Sequence, residues 1–230
     1  MEIYHTVNSG IYALGKGHAI LIDGIHRGEK VGFSPMPQIY GKGMEGVFRK
    51  PDLYLFTHAH PDHFDEDILL AEQTAKKVYG PGFGEVPART VSANITQVLV
   101  DYAEIFALKT IHAGRAFSEE PHYSYYVEME GRRIFISGDA RLRQDEARLL
   151  DLICDRRIDA VFVNPMQLLE PESIAFLREL NVKKVFLYHL PLVGDDRLGC
   201  FALAREAGKR YPQDLPELER VLPMSRVDLD

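Results

Sequence analysis

Three histidines and an aspartate lie within six consecutive residues, His58-Ala59-His60-Pro61-Asp62-His63. Imidazole nitrogens and carboxylate oxygens are the ligands that zinc and related divalent metals prefer. At the end of a strand and in the turn after it, alternate residues share one side, so His58 and His60 can point together while Asp62 and His63 turn beneath them. Because a solvent-facing turn rarely concentrates so many ligand types, this segment predicts a metal site.

The segments on either side of this cluster are suited to hold it in place. Residues 52–57 (Asp-Leu-Tyr-Leu-Phe-Thr) form a short apolar run that predicts a strand leading directly into His58. Residues 65–76 predict a helix, with Asp65 as its capping residue. Active sites of α/β proteins gather at the carboxyl ends of strands, and the cluster occupies such a position.

The remaining elements predict a layered α/β (α+β) protein with one domain over 1–230. Strands come first, with turns at 8–10 and 15–17, and strands then alternate with helices. The tail after Tyr211 is punctuated by prolines and is predicted to be loosely held. The predicted strands are 2–7, 11–14, 18–23, 52–57, 78–79, one near Val91, 98–100, 105–111, 123–129, 133–137, 160–163 and 184–188, and the further helices are 147–154, 171–180 and 198–210.

Residues 24–50 show no clear period and contain several glycines and prolines. A loop of this length inside a compact domain is usually functional, so we expect a lid with Phe33, Met36 and Tyr40 over the site. A disordered surface loop is the alternative.

Charge and cysteine content narrow the class of protein. The chain has 27 Lys+Arg against 34 Asp+Glu, a formal net charge of -7, which disfavours general binding to nucleic acid or to anionic membranes. Cys154 and Cys200 each lie in an apolar run and are predicted to be buried free thiols. Together with the lack of an N-terminal signal pattern, they favour a protein of the reducing cytoplasm, and a homo-oligomer is left open.

The segment Thr57-His58-Ala59-His60-Pro61-Asp62-His63 resembles the metal-binding motif of the metallo-β-lactamase fold superfamily. The resemblance implies a four-layer αββα sandwich that binds two metals at one edge of its sheets. Later motifs appear in the family's order. In Ile136-Ser137-Gly138-Asp139 the aspartate resembles the metal-bridging carboxylate, and in Val185-Phe186-Leu187-Tyr188-His189-Leu190 the histidine resembles the final ligand. Asp23, in Ile20-Leu21-Ile22-Asp23, resembles the structural aspartate that supports the ligands.

Two histidines compete for the remaining ligand position. His112, in Thr110-Ile111-His112-Ala113-Gly114, resembles the family's middle histidine. His122 precedes a predicted strand, and a turn at Glu130-Gly131 would place it opposite Asp139. Glyoxalase II-like members carry two histidines in this region, more closely spaced than here, and the first is the ligand. We therefore favour His112 as the ligand, with His122 facing the substrate or supporting the ligands.

The resemblance implies one metal held by His58, His60 and His112 and a second held by Asp62, His63 and His189, with Asp139 between them. Two such metals would share a hydroxide that acts as the nucleophile, and Asp62 would orient or deprotonate it. The resemblance favours zinc because the zinc hydrolases of the family have a histidine at the position of His60, whereas the diiron oxygen-reducing members usually have Glu there. Manganese and iron are the alternatives. Ala140 stands where many members have Thr or Ser, a departure that does not touch a ligand.

The implied activity is hydrolysis of an ester, lactone, thioester or phosphodiester of a small molecule. Arg141 and Arg143 could contact an anionic substrate, but ordinary surface charge before a helix is the favoured interpretation. The alternatives are a nuclease similar to the transfer-RNA 3′-end-processing members, a non-catalytic metal-binding module, and diiron oxidoreductase chemistry. The acidic charge balance counts against the first and the intact ligand set against the second.

Overall fold

The computed structural model describes residues 1–25, 49–71, 78–82, 89–154 and 157–230. Within these ranges the chain forms fourteen strands and four helices. The strands are β1 (Glu2–His5), β2 (Ile11–Leu14), β3 (Ala19–Ile22), β4 (Leu53–Leu55), β5 (Val78–Gly80), β6 (Arg89–Thr90), β7 (Ile95–Leu99), β8 (Glu104–Ile111), β9 (Pro121–Met129), β10 (Arg132–Ile136), β11 (Ile158–Val163), β12 (Val182–Leu187), β13 (Glu217–Arg220) and β14 (Ser225–Val227). The helices are α1 (Glu66–Ala71), α2 (Gln144–Ile153), α3 (Pro171–Glu179) and α4 (Cys200–Arg210).

The strands form two mixed sheets of seven strands each, and in both sheets one half is antiparallel and the other half parallel. The first sheet has the order β14-β1-β2-β3-β4-β5-β6, and the second has the order β13-β12-β11-β10-β9-β8-β7. In the first sheet the pairings from β14 to β3 are antiparallel and those from β3 to β6 are parallel. In the second sheet the pairings from β7 to β10 are antiparallel and those from β10 to β13 are parallel. Strands that run in the same direction consequently end at the same edge of their sheet. These include β3 and β4 in the first sheet and β8, β10, β11 and β12 in the second.

Three apolar clusters show how the layers pack. The central cluster joins the inner faces of both sheets, with Ile20 and Leu55 from the first and Ile136 and Phe162 from the second. The helices then cover the outer faces because their apolar residues recur at helical spacing, as Ala147 and Leu150 do in α2.

The outer clusters complete four layers. Helices α2, α3 and α4 contribute to the cluster on the outer face of the second sheet, and Leu69 of α1 contributes to the cluster on the first. Many strand residues are therefore buried on both faces, which explains why β3 and β4 read as continuous apolar runs rather than alternating ones. The predicted αββα sandwich is confirmed.

Local sequence determines the hairpin between β9 and β10. Glu130 and Gly131 both have positive φ, 53° and 75°, as a two-residue turn of this hand requires. The register Ile136↔Tyr125 continues the pattern that brings His122 toward Asp139, as the sequence predicts. Of the predicted helix 65–76, residues 72–76 lie outside the described residues, as does almost all of the predicted lid, including Phe33, Met36 and Tyr40.

The prediction of a loosely held tail is wrong. Strand β13 adds to β12 of the second sheet and β14 adds to β1 of the first, so the segment after Tyr211 belongs to both sheets. Val227 and Leu229 are buried in the central cluster. The cysteine prediction holds for buried Cys154 but not fully for Cys200, which is half-buried at the start of α4; neither cysteine forms a disulfide in the described part of the chain. No helix of the described ranges combines the length and the apolar character needed to cross a membrane.

Candidate metal centre

The predicted ligands converge where the carboxyl ends of strands from both sheets meet. The segment His58 to His63 follows β4 of the first sheet. His112, Asp139 and His189 follow β8, β10 and β12 of the second sheet. Because these strand ends point the same way, residues far apart in sequence face one another across the edge of the sandwich.

The ligand-type side chains form two groups. One consists of His58, His60 and His112, and the other of Asp62, His63, Asp139 and His189. Within each group, one donor atom from every residue lies within 4.8 Å of the others. This is the division that the sequence resemblance implies, and it brings His112 rather than His122 into the first group.

The Asp139 carboxylate lies between the two groups. Its Oδ2 is 3.9 Å from Nε2 of both His58 and His112, and 3.4 Å from Nε2 of His63. Its Oδ1 is 3.6 Å from Nε2 of His189. A carboxylate so placed can contribute to both groups, although the interatomic distances group Asp139 with Asp62, His63 and His189. Asp62 completes that group, with Oδ2 3.8 Å from Nε2 of His63 and 3.7 Å from Nε2 of His189.

Two unsatisfied nitrogen atoms indicate that the first group fits a metal ion. Nε2 of His58 and Nε2 of His112 are buried and have no hydrogen-bond partner among the described residues. Buried polar atoms are normally paired, and an unpaired one needs an explanation such as a bound ion. Both nitrogens point toward the carboxylate at a distance too long for a hydrogen bond, which leaves space for a cation between them.

The electrostatics of the cluster are those of a cation site. Burial alone would raise the pKa of Asp139, yet the surrounding His189 and His63 hold it well below its usual range. Burial, together with neighbouring His63 and His122, lowers the pKa of His58 well below its ordinary value. An ionised carboxylate at Asp139 and a neutral imidazole at His58 are the protonation states in which each can donate an electron pair to a metal.

Asp23 and Thr57 hold the ligands from behind. The Asp23 carboxylate is fully buried and accepts hydrogen bonds from the Thr57 amide and the Thr57 hydroxyl, both at 2.8 Å. It also lies 2.9 Å from Nδ1 of His63. Burial favours the neutral form of His63, but the Asp23, Asp62 and Asp139 carboxylates raise its pKa well above the ordinary value. Asp23 thus orients His63 so that Nε2 faces the cluster, a supporting arrangement that metal-ligating histidines commonly have.

His122 lies beside the cluster without joining either group. It is fully buried opposite Thr110 in the β8–β9 ladder. Its Nε2 accepts a hydrogen bond from the Asp139 amide at 3.0 Å, and its Nδ1 lies 2.7 Å from the Thr110 hydroxyl. Burial lowers the pKa of His122 to about 3. The geometry therefore gives His122 a supporting position behind Asp139, and both of its ring nitrogens are engaged by protein groups.

Sequence reasoning missed two residues that fix Asp139. The Asn164 side chain donates to Oδ1 of Asp139 at 2.8 Å, and Gln167 donates to the Ala140 carbonyl at 2.7 Å. Gln167 also accepts hydrogen bonds from the Asn164 amide and from the Ser137 hydroxyl. Asn164 directly follows β11, so its place at the carboxyl end of a parallel strand is a signal that could have identified it.

The predicted anion contacts Arg141 and Arg143 are both engaged elsewhere. The Arg141 guanidinium makes two hydrogen bonds to the Glu172 carboxylate, at 2.7 and 3.0 Å. Arg143 donates to Asp145 at 3.1 Å. Both side chains are exposed, so these pairs contribute little to stability. The structure therefore favours surface ion pairs over substrate contacts for these two arginines.

Gly138 occupies a position that only glycine fits. Its φ is +57°, and a Cβ placed there would lie 2.8 Å from Cγ2 of Thr57 and 2.9 Å from Nε2 of His122. Both of those residues position ligands, so a larger side chain would disturb the centre as well as the backbone. Gly131 also has positive φ, +75°, but a Cβ there would meet nothing within 4 Å.

We therefore expect Gly138→Ala to destabilise the protein more than Gly131→Ala. The left-handed backbone costs each alanine about 1–2 kcal/mol, and Gly138→Ala must in addition displace Thr57 and His122. Urea unfolding followed by circular dichroism measures both variants, and metal analysis should show a loss only in Gly138→Ala. Equal losses of unfolding free energy in the two variants would contradict the role given to the close packing at Gly138.

Comparison with known proteins identifies solved structures that have a similar fold. No family model and no curated protein matches the sequence. Among solved structures, the metallo-beta-lactamase fold protein YhfI from Bacillus subtilis shares 13% identity over 96% of this chain and 91% of its own, with a TM-score of 0.61. An isothiocyanate hydrolase from Delia radicum gut bacteria shares 14% identity over 99% of both chains, with a TM-score of 0.62. The diiron β-hydroxylase CmlA from Streptomyces venezuelae shares 12% identity over 98% of this chain and 53% of its own, with a TM-score of 0.64.

The chain has the metallo-β-lactamase fold, as its sequence motifs predict. The similar structures include a hydrolase and a diiron β-hydroxylase, and the identities are 12–14%. The comparisons establish the fold, and function must be argued from the site itself.

Proposed function

We propose that this protein is a metal-dependent hydrolase that cleaves an ester, lactone, thioester or phosphodiester bond of a small molecule. The observation that carries the proposal is the pair of ligand groups with the Asp139 carboxylate between them. His58, His60 and His112 would hold one ion, and Asp62, His63 and His189 would hold the other, with Asp139 contributing to both.

The donor set favours zinc, with manganese or iron as alternatives. Five imidazoles and two carboxylates suit a borderline-soft divalent ion better than magnesium or calcium, which prefer oxygen. When bound, such ions would lower the pKa of a water molecule toward 7 and polarise the scissile group. The presence of CmlA among the similar structures keeps iron in consideration.

The protein's own side chains would divide the remaining work. Asp62 is partly exposed, with its carboxylate beside His63 and His189, and is placed to orient a nucleophilic water and accept its proton. Asp23 and Thr57 keep His63 and His58 in position. His122 and Asn164 fix the backbone and the carboxylate of Asp139 respectively. Such fixed ligands reduce the reorganisation required during reaction.

Metal content and chelator sensitivity test the proposal together. Protein purified without chelator is expected to hold about two metal ions per chain and to hydrolyse nitrophenyl acetate or bis(nitrophenyl) phosphate. Chelator should abolish the hydrolysis, and added zinc should restore it. Measuring both esters, together with an RNA substrate, separates small-molecule hydrolysis from nuclease activity.

A matched pair of variants provides the control. His58→Ala removes a buried side chain of the first ligand group, whereas His18→Ala removes a half-buried ring that stacks on Tyr102 and lies 3.8 Å from Asp52, outside the cluster. Only His58→Ala should lose metal and activity. Protein without bound metal, or activity that chelator and His58→Ala leave unchanged, would rule out the proposal.

A further inference from the structure

A cleft of about 580 Å³ adjoins the first ligand group. One wall is the turn after β8, including His112 and Arg115, and the opposite wall is the segment from Met166 to Ser173 at the start of α3. Its volume falls within the range of small-molecule sites. Because His112 belongs both to the ligand group and to the cleft wall, a molecule in the cleft would extend directly from the metal centre.

The cleft combines apolar surface with one uncompensated positive charge. Ile111 and Met166 line it and are 39% and 58% exposed, values high for such side chains. Arg115 also lines it, and the guanidinium has no ion-pair partner in the described part of the chain. The other arginine of the cleft, Arg141, is neutralised by its double hydrogen bond to Glu172.

A buried hydroxyl in the same wall is an independent sign of a ligand. Ser173 lines the cleft and is 1% exposed, yet its Oγ has no hydrogen-bond partner among the described residues. Leaving a buried hydroxyl unpaired is costly, and a bound polar group would satisfy it. Gln167 lines the cleft too, but its side chain is already engaged. Its Oε1 accepts from the Asn164 amide and the Ser137 hydroxyl, and its Nε2 donates to the carbonyls of Ala140 and Gly138.

We propose that this cleft binds the non-reacting part of the substrate, and that the substrate carries an apolar chain ending in a carboxylate or another anionic group recognised by Arg115. The inference rests on the proposed function, since the reacting bond would lie at the metal centre. In this proposal the anionic group contacts Arg115, and not Arg141, the candidate that the sequence suggests. Glu170 also lines the cleft, near Arg141, and would disfavour an anion at that side, which directs the anionic group toward Arg115.

Two probes that differ only in charge, one anionic and one neutral, test this inference by binding alone, without turnover. The nitrophenyl ether of hydroxypentanoic acid and its primary amide have nearly the same shape, and their ether bond is not hydrolysed. Calorimetric titration of the metal-loaded protein is expected to show about tenfold tighter binding of the acid, or about 1.4 kcal/mol. Arg115→Gln should reduce this preference to less than about threefold, while Arg143→Gln, outside the cleft, should retain it.

Ser173→Ala supplies a second variant whose structural and binding effects differ. It should weaken binding of both probes, while its thermal midpoint stays unchanged or rises because an unpaired buried hydroxyl is removed. No preference for the acid, or a preference that Arg115→Gln leaves intact, would overturn the inference. If ester hydrolysis and metal content remain normal in that case, the proposed function stands and only the substrate assignment fails.

Discussion

Asp139→Asn is expected to reduce hydrolysis by at least about a thousandfold, equivalent to about 4 kcal/mol of activation free energy. The substitution preserves the shape of the side chain and removes its negative charge. That carboxylate lies 3.4–3.9 Å from an imidazole nitrogen of His58, His63, His112 and His189. Without it, two cations held close together would lack the anion that offsets their repulsion.

Metal analysis should show the same loss directly. We expect Asp139→Asn to retain about one metal ion or fewer per chain, while its circular dichroism spectrum stays that of the folded protein. Asp65→Asn is the matched control, because Asp65 lies beyond the cluster and accepts a hydrogen bond from the Ile68 amide at the start of α1. An Asp139→Asn variant with two metals and normal turnover would refute the bridging role.

Asp23→Asn is expected to lower the free energy of unfolding by about 3 kcal/mol, the cost of breaking a buried charge pair on one side. Asp23 and His63 are both fully buried and lie 2.9 Å apart. Asparagine tolerates the positive φ of 53° found at this position, so the variant tests the charge and not the backbone. It would leave the His63 ring without the carboxylate that orients it.

Urea unfolding in the presence of chelator measures this effect without a contribution from bound metal. The matched control is Asp52→Asn, whose exposed carboxylate bonds to Arg49 and to the Ala19 amide. We expect less than about 1 kcal/mol from that surface position. Similar losses in the two variants would show that burial of the Asp23–His63 pair does not matter.

The cluster around His58 was predictable because its ligands are consecutive in sequence. Asp139 and His189 could be added because each follows an apolar strand in the order typical of the fold. The resemblance favours His112 over His122, but both are expected to lie near Asp139, and only the structure shows how their positions differ. The β8–β9 register pairs His122 with Thr110, and this pairing turns it behind Asp139 while His112 lies past the end of the β8 strand.

Other features carry no local signal. Strand β14 is three residues long and pairs with β1 at the opposite end of the described chain, so neither segment reveals its partner. The tail therefore looks unstructured in sequence. Arg115 likewise cannot be distinguished from Arg141 by residue type, because only the Glu172 ion pair shows which guanidinium is already neutralised.

The two contacts of His122 determine where its hydrogen atom resides. Because the Asp139 amide donates to Nε2, that nitrogen must be bare, so Nδ1 carries the hydrogen and donates it to the Thr110 hydroxyl. Thr110 then donates to Ser124, which lies 3.2 Å away and donates in turn to the Ser137 carbonyl. Each hydroxyl or imidazole in this series of hydrogen bonds therefore has a fixed donor and a fixed acceptor. The series ends at a peptide carbonyl, which cannot pass a proton on. His122 therefore has no hydrogen on the nitrogen that faces Asp139. In the proposed hydrolysis, a proton for the leaving group would come from Asp62 or from solvent instead.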